Sequence, residues 1–241
     1  MYNLYFECFN GISGDMTVAS LLDLGVPIDK LLDTLHELQI DDEFDIKVSK
    51  VNKVGVLATD FDVIVNNTNV SERNVDDVFE ILNRLSDESV KELSKKIFMI
   101  NANALSKAHG VNIKEVTFHE KGAIDSLVDI VSASFCIKYL NVKNIYFSTL
   151  YDGSGYIKTR KGLLKVPVPA VINITNDYNI PIKITDNIGE QITPTGASIV
   201  TAVRNGNVKE NYIVKKIGIG AGKKYNDRPS VLRAMLIESD N

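Results

Sequence analysis

Residues 117–131 read Thr-Phe-His-Glu-Lys-Gly-Ala-Ile-Asp-Ser-Leu-Val-Asp-Ile-Val and combine an imidazole with three carboxylates, side-chain types that ligate metals. His119 and Glu120 stand in a short polar stretch. Asp125 and Asp129 follow four residues apart, a spacing that puts both carboxylates on one face of a helix. Like charges so placed repel by roughly 0.2–0.5 kcal/mol, and a cation between them reverses the sign. Imidazole with carboxylates suits Mg²⁺, Mn²⁺ or a borderline ion such as Ni²⁺. The candidate metal set is therefore His119, Glu120, Asp125 and Asp129. The plainer reading is that Asp125 complements the helix dipole and Asp129 faces water.

Two glycine turns offer a different chemistry. Gly11-Ile-Ser13-Gly14-Asp15 lies between an apolar stretch and a helical run. Backbone N–H groups at such a turn can hold a phosphate or carboxylate, although Ser13 can equally be only a helix cap. Asp15 would repel an anion unless a cation sits between them. Thr193-Pro-Thr195-Gly196 opens another helix in the same manner. Arg228 belongs to a donor-rich loop at 220–229. Lys158, Arg160, Lys161 and Lys165 form the one local basic cluster, a solvated face or a patch for an anionic substrate. His36 reads as a surface or packed histidine. His109-Gly110 reads as the end of a long helix, with glycine as its left-handed cap.

The elements that must position these residues follow from periodicity. Asn3 to Phe9 reads as a buried strand and Met16 to Leu24 as a helix. A helix over 28–38 precedes a hairpin of 43–50 and 56–65. Helices are expected over 75–85, 89–110, 123–140, 170–175 and 194–203. Strands are expected over 144–150, 156–157, 181–184, 212–219 and 230–237, with a turn at Tyr151-Asp-Gly-Ser-Gly. Strands alternate irregularly with helices, which predicts an α+β fold: a mixed, largely antiparallel sheet with helices packed on it. The length fits a single domain, with two lobes, 1–115 and 116–241, as the alternative division.

The 241 residues are 44% hydrophobic and 24% charged, with a net charge of −4. That composition is ordinary for a globular protein and lacks the basic excess of a nucleic-acid binder. Two cysteines, Cys8 and Cys136, are too few for a disulfide framework and point to a reducing, cytoplasmic setting. No signal peptide opens the chain and no long apolar run would span a membrane. No Gly-x-x-x-x-Gly-Lys-Ser/Thr phosphate loop is present.

With these motifs in place, the chain resembles the nickel insertion (LarC) family of the lactate racemase cofactor pathway. The matching stretches are Cys8 to Met16, Phe118 to Val131, Gly162 to Ala170, Thr193 to Ala197, Gly220-Ala-Gly222 and Asp227 to Arg233. The resemblance implies a CTP-dependent nickel chelatase of the lyase type. It would insert Ni²⁺ into pyridinium-3,5-bisthiocarboxylic acid mononucleotide, forming one nickel–carbon and two nickel–sulfur bonds. It implies catalytic roles for Asp15, His119 and Glu120. Substrate phosphate would fall to Gly11, Ser13, Gly14, Thr193, Thr195, Gly196 and Arg228. CTP with Mg²⁺ or Mn²⁺ would bind a C-terminal part carried by longer members, so a separate partner chain is expected, and a homo-oligomer is compatible with the resemblance. Two departures stand out: the 66–74 loop has none of the histidines that members often carry there, and Lys161 replaces a family histidine. A metal-dependent hydrolase using Glu120, Asp125 and Asp129, and a non-catalytic substrate-carrying subunit, are the other two classes.

Overall fold

The computed structural model describes residues 1–66, 73–118, 120–159, 162–207, 211–224 and 229–238, and only the backbone over 120–123. The first half runs β1 (Asn3–Glu7), α1 (Gly14–Asp23), α2 (Ile28–His36), β2 (Phe44–Lys53), β3 (Val56–Val65), α3 (Val75–Leu82), α4 (Glu88–His109) and α5 (Glu120–Leu140). The second half runs β4 (Ile145–Phe147), β5 (Leu150–Ser154), β6 (Tyr156–Thr159), β7 (Gly162–Lys165), α6 (Pro169–Asp177), β8 (Ile182–Ile188), α7 (Pro194–Val203), β9 (Ile213–Ala221) and β10 (Val231–Glu238).

Local chemistry sets many of these boundaries. Ser13 caps α1 by accepting the Met16 N–H, and Thr193 caps α7 by accepting that of Gly196. Asn74 and Asp77 form a reciprocal capping box on α3. Asp87 caps α4, and Gly110 closes it at φ +69°, a conformation that suits glycine.

The main sheet has the order β2-β3-β9-β10-β1-β4. Its pairings are antiparallel except for β1 with β4 and the single Thr59–Gly220 bridge joining β3 to β9. This is the expected α+β fold with a mixed, mostly antiparallel sheet. Helix α1 lies directly on β9. A Cβ at Gly218 would overlap the Ser20 carbonyl, and one at Gly220 would overlap that of Met16. Glycine at alternate positions of one strand face thus lets a helix backbone settle onto the sheet. Asp23 at the end of α1 secures the contact by accepting the Ile219 N–H at 2.8 Å and the Thr59 hydroxyl at 2.6 Å. One hydrophobic cluster takes in Leu4 and Phe6 of β1, Leu21 of α1, Phe98 of α4, Leu127 and Val131 of α5, and Ile199 of α7.

The chain between 144 and 155 differs from the sequence expectation. It forms two short strands, β4 and β5, and Tyr151-Asp-Gly-Ser belongs to β5 rather than to a turn. Gly153 is there for close approach, because a Cβ would overlap the Gly189 carbonyl as β5 pairs in parallel with β8. The turn is confined to Gly155, at φ +82°.

Candidate metal and ligand pocket

A concavity of about 580 Å³ lies where the N-terminal parts of α1, α5 and α7 meet α4, β3 and the segment after β9. Ser13, Gly14 and Asp15 enter it from α1, Asp125, Ser126 and Asp129 from α5, and Thr193 and Thr195 from α7. The first two motifs lie 110 residues apart in the chain and the last two 64, and the fold brings all three to one place.

Their glycines serve this convergence. Gly11, at φ +89°, lies so close to the Gln191 carbonyl that no side chain would fit. Its N–H is taken by the Cys8 carbonyl at 3.1 Å. A Cβ at Gly196 would overlap the Ile12 carbonyl, and the Gly196 N–H is taken by Thr193 Oγ1 at 3.1 Å. Ile12 and Ile192 form a parallel bridge between the two turns. Gly11 and Gly196 therefore lock one turn against the other. Gly14 makes room for the Asp129 carboxylate, whose Oδ2 would overlap any Cβ there.

Asp129 is the unusual residue of the pocket. Its side chain is 95% buried, being 5% exposed. The carboxylate accepts the Asp15 backbone N–H, yet its Oδ1 has no hydrogen-bond partner. Burial first, and then the Asp125 and Asp15 charges, push its carboxyl well above the usual range. Asp125 is pushed up to about 6, by desolvation first and the Asp15 charge second. Its side chain still meets the solvent of the cavity, so the desolvation is partial and the like charge of Asp15 adds to it. Asp15 is raised by burial and restrained by hydrogen bonds from the Ser13 hydroxyl and the Met16 N–H.

Lys223 opposes these carboxylates. Its ammonium sits 2.8 Å from Asp60 and 3.1 Å from Asp62 on β3, and its charge lowers Asp15, Asp125 and Asp129 alike. Lys224 pairs with Glu190 at 3.6 Å at another part of the rim. On α4, Asn101, Leu105 and His109 line the cavity at intervals of four, and buried Asn101 has an unpartnered Oδ1.

Of the sequence candidates, Ser13, Gly14, Asp15, Asp125, Asp129, Thr193 and Thr195 share this cavity, and Gly11 and Gly196 stand directly behind it. His119, the Glu120 side chain and Arg228 lie outside the described residues, as do Arg160 and Lys161 of the basic cluster. Among the described residues, no three His, Cys, Asp or Glu side chains are already gathered as a metal shell. Sequence reasoning missed Lys223, Asp60, Asp62, Asn101 and His109. The four-residue spacing of Asn101, Leu105 and His109 was the available signal for α4. Nothing local in β3 announced Asp60 and Asp62.

The fold and this cavity define an α+β protein organised around an acidic pocket. The chain belongs to the nickel insertion protein family, whose model matches residues 4–241. Relatives from Alkaliphilus metalliredigens, Acetivibrio thermocellus and Clostridium acetobutylicum are 43%, 41% and 38% identical over 98%, 97% and 99% of this chain. Each is named a pyridinium-3,5-bisthiocarboxylic acid mononucleotide nickel insertion protein. The chain spans 61%, 60% and 64% of their respective lengths. No solved structure matches it. Among the described residues, no helix is long and apolar enough to cross a membrane.

Proposed function

We propose that the acidic pocket is where Ni²⁺ is held and passed to pyridinium-3,5-bisthiocarboxylic acid mononucleotide, the substrate named for the relatives. The observation that carries this reading is Asp129: a buried carboxylate with an unpartnered oxygen, beside Asp125 and Asp15 in a cavity large enough for a mononucleotide. Burying such a group is costly unless something compensates it, and a divalent ion would do so. His119 and Glu120, immediately upstream of Asp125, complete the proposed ligand set.

Ligand softness gives the transfer a direction. Carboxylates hold nickel less firmly than thiocarboxylate sulfur does, so an ion placed among aspartates moves downhill to the substrate. Forming a nickel–carbon bond displaces a ring proton, which we assign to Asp15 with His119 and Glu120. Substrate phosphate is assigned to the Ser13 and Thr193–Thr195 caps and to Arg228. CTP with Mg²⁺ or Mn²⁺ is assigned to the part of the relatives that this chain does not span. We therefore expect no CTP turnover from this chain alone in a phosphate-release assay, and steady turnover would overturn that assignment.

Calorimetric titration with Ni²⁺ and Mn²⁺ tests the metal site on the parent, His119→Ala and Asp129→Asn. Loss of the imidazole should weaken nickel more than manganese, and Asp129→Asn should weaken both. Equal nickel affinity in all three proteins would remove metal binding from this pocket.

A further inference from the structure

Within this reading of the pocket, the role of Lys223 is unassigned. Five aspartates, Asp15, Asp60, Asp62, Asp125 and Asp129, act electrostatically on one another or on Lys223. Among the described residues, Lys223 is the cation common to all five. It is half exposed and comes from the segment after β9, not from any element that carries the buried carboxylates. A purely structural lysine would need only Asp60 and Asp62, which are themselves partly exposed. Lys223 instead lines the same cavity as Asp129, whose unpartnered Oδ1 marks a position prepared for a ligand.

We propose that Lys223 is a specificity-determining residue of the pocket: a tethered counter-ion, anchored by Asp60 and Asp62, that keeps divalent-ion affinity low enough for the metal to be released to the substrate. The proposal rests on the acidic-pocket reading and adds what limits its grip. An insertion protein has to load an ion and then give it up. Three carboxylates without opposition would favour the first step at the expense of the second. A fixed positive charge in the same cavity repels the incoming ion at long range and partly satisfies the field that would otherwise trap it. The ammonium cannot itself coordinate a metal while protonated, so it weakens binding without taking a place in the ligand shell.

Lys223→Met removes the charge and keeps most of the stem. Calorimetry with Ni²⁺ should show affinity rising about tenfold over the parent at low salt, a gain that shrinks as ionic strength rises. Lys223→Arg should stay close to the parent. Transfer of bound nickel to a competing thiolate chelator should slow in Lys223→Met by a similar factor. Lys223→Gln provides a second neutral variant if Lys223→Met folds poorly. The uncovered Asp60 and Asp62 could create a new ion site, so Lys223→Met is repeated with Asp60→Asn and Asp62→Asn. The gain should persist in that triple variant relative to the Asp60→Asn, Asp62→Asn pair with Lys223 intact, and its disappearance would overturn the proposal. Parent-like or weaker nickel binding by both neutral variants would overturn this proposal alone. Absence of nickel binding in every protein would overturn both it and the acidic-pocket reading.

Discussion

Asp129 and Asp152 are both buried aspartates with one oxygen lacking a partner, yet they sit in opposite circumstances. Asp152 is fully buried on β5, and its Oδ1 accepts the N–H groups of Gly153, Gln191 and Ile192 at 2.8, 2.7 and 3.2 Å. It fixes the segment whose Ile192 pairs with Ile12 and whose Thr193 caps α7. Asp129 accepts the Asp15 N–H and presents its other oxygen without any protein donor, in a cavity it shares with Asp15, Asp62 and Asp125. Both carboxyls are raised chiefly by burial, with three backbone N–H groups opposing the rise at Asp152 and two like charges adding to it at Asp129. One carboxylate holds the backbone that shapes the pocket. The other has the unmet electrostatic demand that a ligand can satisfy. Burial alone does not distinguish them; the donors around each oxygen do.

The sharpest way to break this contrast is Asp152→Leu. It leaves three buried N–H groups without an acceptor, and loss of such a network costs roughly 3–5 kcal/mol. Urea denaturation should show that loss, while Asp152→Asn, which keeps an acceptor oxygen, should recover most of it. A parent-like midpoint for Asp152→Leu would show that the loop does not depend on this carboxylate.

Asp129→Asn should behave in the opposite sense. Without metal it removes a buried charge that repels Asp125 and Asp15, so stability should rise by about 1 kcal/mol. Nickel affinity should fall at least about tenfold, equivalent to about 1.4 kcal/mol. A variant both less stable and unchanged in nickel binding would place Asp129 in the same structural class as Asp152.

Much of this contrast was legible in the sequence, but not its electrostatics. The four-residue spacing of Asp125 and Asp129 placed them on one helix face, and the Ser13 and Thr193 caps follow from residue type at a helix start. The glycines beside those caps were read as anion cradles. Gly11 and Gly196 also permit close packing of one turn on the other, which the sequence did not announce because a contact across about 180 residues leaves no local trace. Gly218 and Gly220, alternating on one strand, carried a signal for the seating of α1 that the strand's apolar character obscured. Asp152 looked like a turn residue because Gly153 and Gly155 follow it, while two of its three partners come from a segment about forty residues away. Lys223 reaches Asp60 and Asp62 where β9 meets β3 at one bridge, and no periodicity in either strand reports that pairing.

The smallest expected effect concerns pH, and its sign separates the pocket carboxylates from Asp23 and Asp87. Asp125 stands at about 6 in the folded chain against about 3.9 unfolded. Asp129 is also raised. Between those values the folded state binds more protons than the unfolded one, so stability falls as pH rises through this window. Metal-free protein should therefore melt at a higher temperature at pH 5.5 than at pH 7.5. Asp125 remains open to cavity solvent, which limits the gain to about 1 kcal/mol or less. Asp23 and Asp87 titrate in the other sense: both are lowered, so their contribution is lost only at more acid pH, as they become protonated. Saturating nickel should reverse the slope over pH 5.5–7.5, because the ion binds the deprotonated carboxylates and protons compete with it. Melting curves at the two pH values, with and without nickel, make the comparison, and Asp129→Asn should flatten both slopes. A metal-free protein that gains stability from pH 5.5 to 7.5 would mean that the pocket carboxylates are already compensated by the protein.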